Sequence, residues 1–136
     1  MSTFVELETI LACDAIAHSS GKYTLVGVFD RIWAIKFPCT HGPLAIYLRL
    51  RLPLGQHKIE VQITDSDQRV IYKTQPPMEA NVTLEDMTGE FPVGLAGVSF
   101  PLPDEYWVQC LVNGQIQANL SYRLVLMEAH PHPPGS

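Results

Sequence analysis

Apolar and polar residues alternate along most of the chain, a period of two that predicts β-strands. The clearest run, 44–52, places five leucine or isoleucine residues on one face and Tyr47 among the residues of the other. The run 59–63 repeats this pattern after a short connection. Pairing the two runs sets Leu50 beside Ile59 and Arg49 opposite Glu60, so we predict a hairpin between them.

A second hairpin is predicted near the C-terminal end. Residues 115–126 alternate for a dozen positions and follow Asn113-Gly114, which is a strong turn signal. A two-residue turn would bring Gln109 onto the apolar face. A three-residue loop with Gly114 in the left-handed region avoids this, and we therefore predict the longer loop. In that register Trp107 faces outward, together with Gln109, Gln117 and Asn119.

The N-terminal third contains two runs, 8–17 and 23–34, that are apolar on both faces and are joined by a tight turn at 19–22. They are typical of central strands covered on two sides. Weaker strands are predicted at 69–73, 78–84 and 93–100, and no window has a helical period. Eight or nine short strands predict an antiparallel β-sandwich, Ig-like or C2-like. We expect a single domain over residues 1–128 and a disordered tail over 129–136.

Composition narrows the class of protein. The 136 residues are 46% hydrophobic and 17% charged, with a net charge of −5, which indicates one domain with a sizeable core. Lys and Arg are too few for a nucleic-acid binder. No apolar run reaches the ~18–20 residues of a membrane span, and no signal peptide is evident. Three cysteines, an odd number, argue against a disulfide framework and favour a reducing, cytoplasmic setting.

Several short segments together resemble a known family. They are Ala12-Cys13-Asp14, Gly21-Lys22, Leu25-Val26-Gly27-Val28-Phe29-Asp30-Arg31-Ile32, Phe37-Pro38 and Leu48-Arg49. This combination resembles an uncharacterised family of small bacterial proteins. The resemblance covers most of residues 8–126 and is most specific between residues 14 and 38. It implies a sandwich of antiparallel strands, a bacterial origin and a single soluble domain, and it supplies no catalytic residue.

The polar residues of these motifs are predicted to be structural. Asp14 is the one charge within 10–17, so we expect it to be hydrogen-bonded or to meet Arg31. Asp30 and Arg31 are expected to end a strand and to stitch a loop. Cys39 and His41 have a chelating spacing but lack further ligands, so no metal and no cofactor are predicted. Asp65 and Asp67 are interpreted as a polar turn, with a calcium site as the open alternative.

The function that the sequence favours is binding. No nucleophile elbow or phosphate loop is present, and the sequence fixes no second carboxylate or histidine beside Asp14, so we predict a protein that is not an enzyme. Outward aromatic side chains on a sheet indicate a contact surface, and Tyr47, Trp107, Gln109 and Gln117 are the candidate binding residues. A protein partner or a second copy of the chain is expected, and a small-molecule or carbohydrate ligand is the alternative. A third hypothesis, a hydrolase or metal-dependent enzyme, requires Asp14, Asp30 and a histidine to converge.

Overall fold

The computed structural model describes residues 5–84 and 88–129. These residues form thirteen strands and no helix, so no helix within them could cross a membrane. The strands are β1 (Glu6–Ser19), β2 (Lys22–Val28), β3 (Arg31–Ala34), β4 (Cys39–Thr40), β5 (Leu44–Arg51), β6 (Gly55–Thr64), β7 (Val70–Lys73), β8 (Met78–Val82), β9 (Thr88–Leu95), β10 (Ser99–Phe100), β11 (Asp104–Val112), β12 (Gln115–Ile116) and β13 (Tyr122–Glu128).

Two sheets pack face to face, which confirms the predicted sandwich. The four-stranded sheet has the order β2-β1-β5-β9, and the seven-stranded sheet has the order β3-β13-β11-β6-β7, with β12 beside β11 and β8 beside β6. One continuous apolar core lies between them, to which β5 contributes Ile46 and Leu48, and β6 and β11 contribute Val61, Ile63 and Val108. A small pair, β10-β4, accompanies the two sheets.

The predicted hairpin between β5 and β6 is wrong. β5 pairs with β1 and β9, whereas β6 pairs with β11, β7 and β8, so residues 52–54 carry the chain from one sheet to the other. The two apolar faces meet across the core instead of side by side. Alternation cannot separate these arrangements, because both bury the same residues. Arg49 accordingly bonds Glu8 at 3.4 Å, and Glu60 pairs with Lys73 at 3.6 Å.

The predicted three-residue loop at the C-terminal hairpin is also wrong. Asn113 and Gly114 both have positive φ, 53° and 81°, and form a two-residue turn that sets Leu111 opposite Ile116. Residues 117–121 then leave the ladder, and β13 rejoins β11 with Tyr122 opposite Val108. The register argument failed because it assumed one unbroken strand over 115–126. The outward position of Trp107 is nevertheless correct, since its neighbours in β11 on either side are buried.

The strands outnumber the predicted eight or nine. Three predicted runs, 23–34, 93–100 and 115–126, each divide in two, and Cys39–Thr40 adds a further short strand. One pair is parallel, β13 with β3, so the seven-stranded sheet is mixed. Ala129, assigned to the tail, donates its N–H to Ala34 O at 2.8 Å and extends this pairing. The rest of the predicted tail lies outside the described residues.

The N-terminal hairpin forms as predicted, but its strands are not both central. Ser20 and Gly21, with φ of 53° and 74°, make the turn between β1 and β2. β1 is longer than β5, which is its second partner strand. It pairs with β5 only from Glu6 to Cys13 and with β2 from Cys13 to Ser19. Residues 14–28 therefore continue beyond that pairing as a two-stranded ribbon, which we call the arm. β2 is an edge strand with mostly exposed residues.

The three cysteines differ in how deeply they are buried. Cys13 and Cys110 have no exposed surface, as expected for thiols within apolar runs, whereas Cys39 is half-buried, and all three are free. Burial raises the pKa of the Cys110 thiol to about 12. Burial also raises the pKa of Cys13, although its bond to Ala15 O acts in the opposite direction. Two of the three thiols are therefore both enclosed and protonated at neutral pH.

We expect one thiol per folded chain to react with iodoacetamide at pH 8, because Cys39 alone is accessible. Cys13 and Cys110 should react only after unfolding in guanidinium, and mass spectrometry of tryptic peptides assigns each site. Cys39→Ser should remove the fast reaction. Fast labelling of Cys110 in the native chain would contradict the packing of β11 against the core.

Candidate functional site

Tyr47 and Trp107 lie on opposite faces of the sandwich, so they do not form the joint surface that the sequence predicts. Tyr47 belongs to the four-stranded sheet and is only 8% exposed, with the Tyr23 ring 6.3 Å away in an edge-on arrangement. Its hydroxyl donates a hydrogen bond to Glu90. Burial raises the pKa of Tyr47, and the bond to Glu90 raises it further. Tyr47 is therefore a largely covered residue of the outer face.

Trp107 lines a groove of about 550 Å³ on the outer face of the seven-stranded sheet. Its floor consists of neighbouring residues of β11 and β6, because Trp107 stands opposite Thr64 and Gln109 opposite Gln62. Turns at 65–68 and 116–121 supply its walls. The full lining is Gln62, Thr64, Asp65, Ser66, Gln68, Trp107, Gln109, Ile116, Ala118 and Ser121. We call this surface the Trp107 groove.

Two of the predicted neighbours of Trp107 are engaged elsewhere. The Gln117 side chain donates to Gln115 O at 3.2 Å within its own loop. The Asn119 side chain donates to Leu7 O at 2.9 Å and so joins the 117–121 loop to the other sheet. Gln109 is thus the one predicted amide that shares the groove with Trp107.

The floor of the Trp107 groove is polar and uncharged. Gln62 and Thr64 are each only 6% exposed, and Gln62 Nε2 donates to Gln109 Oε1 at 2.8 Å. This bond leaves Gln62 Oε1 as an acceptor and Gln109 Nε2 as a donor. In the part of the chain that the structure describes, Arg51 Nε is the one side-chain nitrogen or oxygen that is both buried and unbonded. The remaining amide atoms of the groove therefore reach solvent.

The sequence reasoning missed Gln62 and Thr64. Their outward position follows from alternation with Ile59, Val61 and Ile63, which are core residues. Their proximity to Trp107 depends on the pairing of β6 with β11, whereas the sequence predicted a pairing of β6 with β5. Alternation along β6 was thus sufficient to predict that these two side chains point outward. The groove could not be predicted, because β6 was assigned the wrong partner strand.

The carboxylates at the rim of the groove accept hydrogen bonds from residues of the adjoining turn. Asp65 Oδ1 accepts the N–H groups of Asp67 and Arg69, both at 2.9 Å, and Arg69 pairs with Asp67 at 3.0 Å. The Ser66 hydroxyl donates to Asp104 Oδ2 at 2.6 Å. That hydrogen bond lowers the pKa of Asp104, with help from the backbone N–H groups of Glu105 and Ser66. The arrangement orders the 65–68 wall beside the groove.

The arm exposes apolar side chains on its edge strand. Val26 and Val28 are 50% and 52% exposed, and Ala15 and Ala17 of the opposing strand are also exposed. Few native strands combine an open edge with half-exposed valines, because such an edge is a template for pairing with another chain. The arm therefore presents an exposed apolar edge, whereas the floor of the Trp107 groove is polar.

Asp14 and Gly27 meet within the arm. Gly27 has a φ of 67°, and a Cβ built on it would lie 2.4 Å from Asp14 Oδ2. Only glycine therefore allows this backbone conformation and this approach of the Asp14 carboxylate. Asp14 is exposed because β1 has already left β5 at this point, and the ion pair of Arg31 is with Asp30 and not, as expected, with Asp14.

An open groove at the base of the arm collects several residues of the motifs that carried the family resemblance. Its volume is about 470 Å³, and its lining is Asp14, Gly27, Val28, Phe29, Arg31, Ile32, Trp33, Cys39 and His41. Trp33 is 60% exposed and lines the groove together with Val28. Sequence reasoning overlooked Trp33, although its position beside the core residue Ile32 indicates an outward direction.

The polar pair of this region marks a change of sheet. Arg31 lies 4.0 Å from Asp30, with both side chains largely exposed, which is a weak interaction. Asp30 O accepts the Val125 N–H at 2.8 Å, so the chain passes here from β2 in one sheet to β3 in the other. Asp14 and His41 line the basal groove, whereas Asp30 is absent from its lining. Over residues 5–84 and 88–129, no group of three or more His, Cys, Asp or Glu side chains could hold a metal ion.

A further cavity, about 460 Å³, lies at the opposite end of β6 beside His57. The His57 ring is held on both sides, by Pro53 O at 2.8 Å and by the Asn113 side-chain nitrogen at 3.0 Å. Asn113 Oδ1 also accepts the Lys58 N–H at 2.9 Å. These bonds clamp the two-residue turn onto β6, so His57 has a structural task there.

A family model matches residues 8–125, described as a family of unknown function, DUF6941. The chain belongs to this family. The match covers most of the chain and confirms the expectation of an uncharacterised domain. It includes the arm, both sheets and the Trp107 groove of this DUF6941 domain. No curated protein matches the chain.

We expect Gly27→Ala to lower the free energy of unfolding by about 1–2 kcal/mol, since alanine disfavours the left-handed region and its Cβ meets Asp14. Gly94→Ala is the matched control, because Gly94 also lies in a strand and a Cβ there has open space. Urea denaturation compares the two. Asp14→Ala in the Gly27→Ala background should recover part of the loss, and equal stability of both glycine variants would contradict this account.

The hydrogen bond between Ser66 and Asp104 should make the free energy of unfolding depend on pH. The pKa of Asp104 in the folded chain lies below its ordinary value of 3.8, so the ionised carboxylate stabilises the fold above that pH. This contribution is lost as the pH falls through the folded-state pKa. Ser66→Ala should therefore cost about 1 kcal/mol at neutral pH and less near pH 3. Urea unfolding at both pH values measures this, and Ser121→Ala should show little change at either.

Proposed function

We propose that this DUF6941 domain is a non-enzymatic self-association module, and that its contact is the free edge of β2. The observation that carries this proposal is the arm itself. Within the described residues, β2 pairs with β1 alone, and its other edge has no partner strand. A strand from a second copy would satisfy the unpaired N–H and C=O groups of that edge.

The two edges of the four-stranded sheet differ in a way that supports this. β9, at one edge, contains Pro92 and the charged Glu90, features that discourage pairing. β2, at the other edge, has neither proline nor charge between Tyr23 and Val28. Protection of one edge but not the other favours a role for the open edge in association.

The energetics of the arm point the same way. A two-stranded ribbon without a third strand is only marginally stable in water. Val26 and Val28 stay half-exposed in the single chain, so the ribbon gains little from burial there. A third strand and the apolar surface of a second arm would add both hydrogen bonds and buried area.

Charge favours a second copy as the occupant. β2 begins at Lys22, and Asp30 follows its other end. Two β2 strands related by a two-fold axis near Leu25 run antiparallel, which brings Lys22 of each copy toward the end that carries Asp30 in the other. The contact is isologous and closed. It joins two four-stranded sheets into one eight-stranded sheet.

Other features fit a binding role in a reducing compartment. Asp14 and Asp30 are solvent-exposed, and burial alone raises the pKa of Cys110, so none of these three residues supplies an activated catalytic group. Three free cysteines favour the cytoplasm over an oxidising compartment.

Light scattering coupled to size exclusion tests the self-association. The wild-type chain should approach twice its 15.2 kDa mass as its concentration rises from about 10 µM to about 500 µM. Val26→Lys places a charge on the open edge and should return the chain to a monomer. Val70→Lys is the matched control, since Val70 on β7 is 53% exposed against 50% for Val26, and it should dimerise like wild type.

A wild-type chain that stays monomeric over this whole range would overturn the proposal. So would a dimer that Val26→Lys leaves intact and Val70→Lys disrupts. A dimer that neither variant affects would also exclude the β2 edge as the contact.

A further inference from the structure

We propose that the Trp107 groove is a carbohydrate-binding site, and that it takes the pyranose ring of a neutral sugar. It lies on the seven-stranded sheet, away from the β2 edge, so it is independent of the proposed self-association. The groove combines an aromatic side chain with a few polar groups in fixed positions, which is the composition of small-ligand sites. Its volume of about 550 Å³ lies within the range of such sites.

Trp107 supplies the apolar platform. A tryptophan that projects from a sheet offers a large rigid surface with one polar N–H, and it loses little conformational entropy on binding. The C–H face of a pyranose is the matching apolar surface of a sugar. Ile116 and Ala118, on the adjacent wall, extend the apolar part of the groove.

The paired glutamines supply the polar recognition. The bond between Gln62 and Gln109 leaves the Gln62 Oε1 acceptor and the Gln109 Nε2 donor group unused at the floor. Each hydroxyl of a sugar can donate and accept, so two adjacent hydroxyls satisfy this arrangement. Because Gln62 is 6% exposed and lies within the sheet, its amide is held in place before a ligand arrives.

The charge of the lining favours a neutral ligand. Asp65 is the one ionisable residue among the ten that line the groove, and its Oδ1 already accepts two backbone N–H groups. No lysine or arginine lines the groove to bind phosphate or carboxylate. A net charge of −5 further disfavours nucleic acid, which could otherwise stack its bases on Trp107.

Buried polar side chains on an outer sheet face need an explanation. Outward positions of a sheet are normally solvated, yet Gln62 and Thr64, which stand opposite Gln109 and Trp107, are each only 6% exposed. Apolar residues would fill such enclosed positions at lower cost if packing were their only role. The amide and hydroxyl groups at the floor therefore favour a role in ligand recognition.

Nuclear magnetic resonance of the ¹⁵N-labelled chain tests the site. The probes are cellohexaose, maltohexaose and chitohexaose, each at up to about 10 mM, and sorbitol is the control polyol without a ring. At least one hexasaccharide should shift the Trp107 indole N–H and the Gln109 side-chain amide saturably. The Trp33 indole, which lines the groove at the base of the arm and not the Trp107 groove, should not move. Sorbitol should leave all of these signals unchanged.

Variants then separate the groove from the rest of the surface. Trp107→Ala and Gln109→Ala should each weaken binding at least tenfold. Gln115→Ala is the matched control outside the groove and should bind as wild type does. Gln109→Ala also serves if Trp107→Ala fails to fold, since the sheet register does not depend on that amide.

The outcomes decide the proposal directly. It is overturned if none of the three hexasaccharides shifts the Trp107 indole, if sorbitol shifts it equally, or if binding persists unchanged in both groove variants. Because Val26→Lys alters the arm alone, that variant should retain sugar binding. The failure of one proposal is therefore distinguishable from the failure of the other.

Discussion

The burial of alternate side chains between the two sheets holds this domain together and sets the direction of every other side chain on those strands. Ile46 and Leu48 of one sheet share a core with Val61, Ile63 and Val108 of the other. Each buried residue commits its neighbours to the outer face, because successive side chains of a strand point in opposite directions. The Trp107 groove depends on this constraint.

A second consequence comes from unequal strand lengths. β1 has 14 residues and β5 has eight, so part of β1 cannot pair with β5 and is left with β2 alone. The arm is the product of this mismatch, and its exposed valines follow from the lack of a third strand. Apolar residues on both faces, which usually indicate a central strand, here lie at an edge. Association through that edge would make β2 a central strand of a larger sheet, which is the position that its apolar residues usually indicate.

The two proposed surfaces use different physics and need not compete. The β2 edge offers main-chain hydrogen bonds and apolar area, which suit another strand. The Trp107 groove offers an aromatic face and a pair of amides, which suit a small neutral ligand. They lie on different sheets. A dimer through β2 would accordingly carry two copies of the groove, one on each protomer.

Local patterns along the chain were reliable where the cause was local. Alternation placed Trp107, Gln109 and Arg49 outward, and turn residues located the hairpins at 20–21 and 113–114. The same alternation misassigned the partner of β6, since a hairpin and a crossing between sheets bury identical residues. Alternation also predicted one strand over 115–126, because the period of two continues through residues 117–121, where the chain leaves the sheet.

The sequence by itself determined the direction of side chains within the unbroken strands and where the hairpin turns fall, because strand period and turn chemistry depend on near neighbours. Only the tertiary structure decided which strands lie side by side, since pairing depends on residues far apart in the chain. That choice covered Tyr47 with Tyr23 and Glu90, and it brought Gln62 and Thr64 beside Trp107. Within the described residues it also left β2 with β1 as its single partner strand. The direction of a side chain depends on its near neighbours in the chain, whereas a binding site depends on which strands pair.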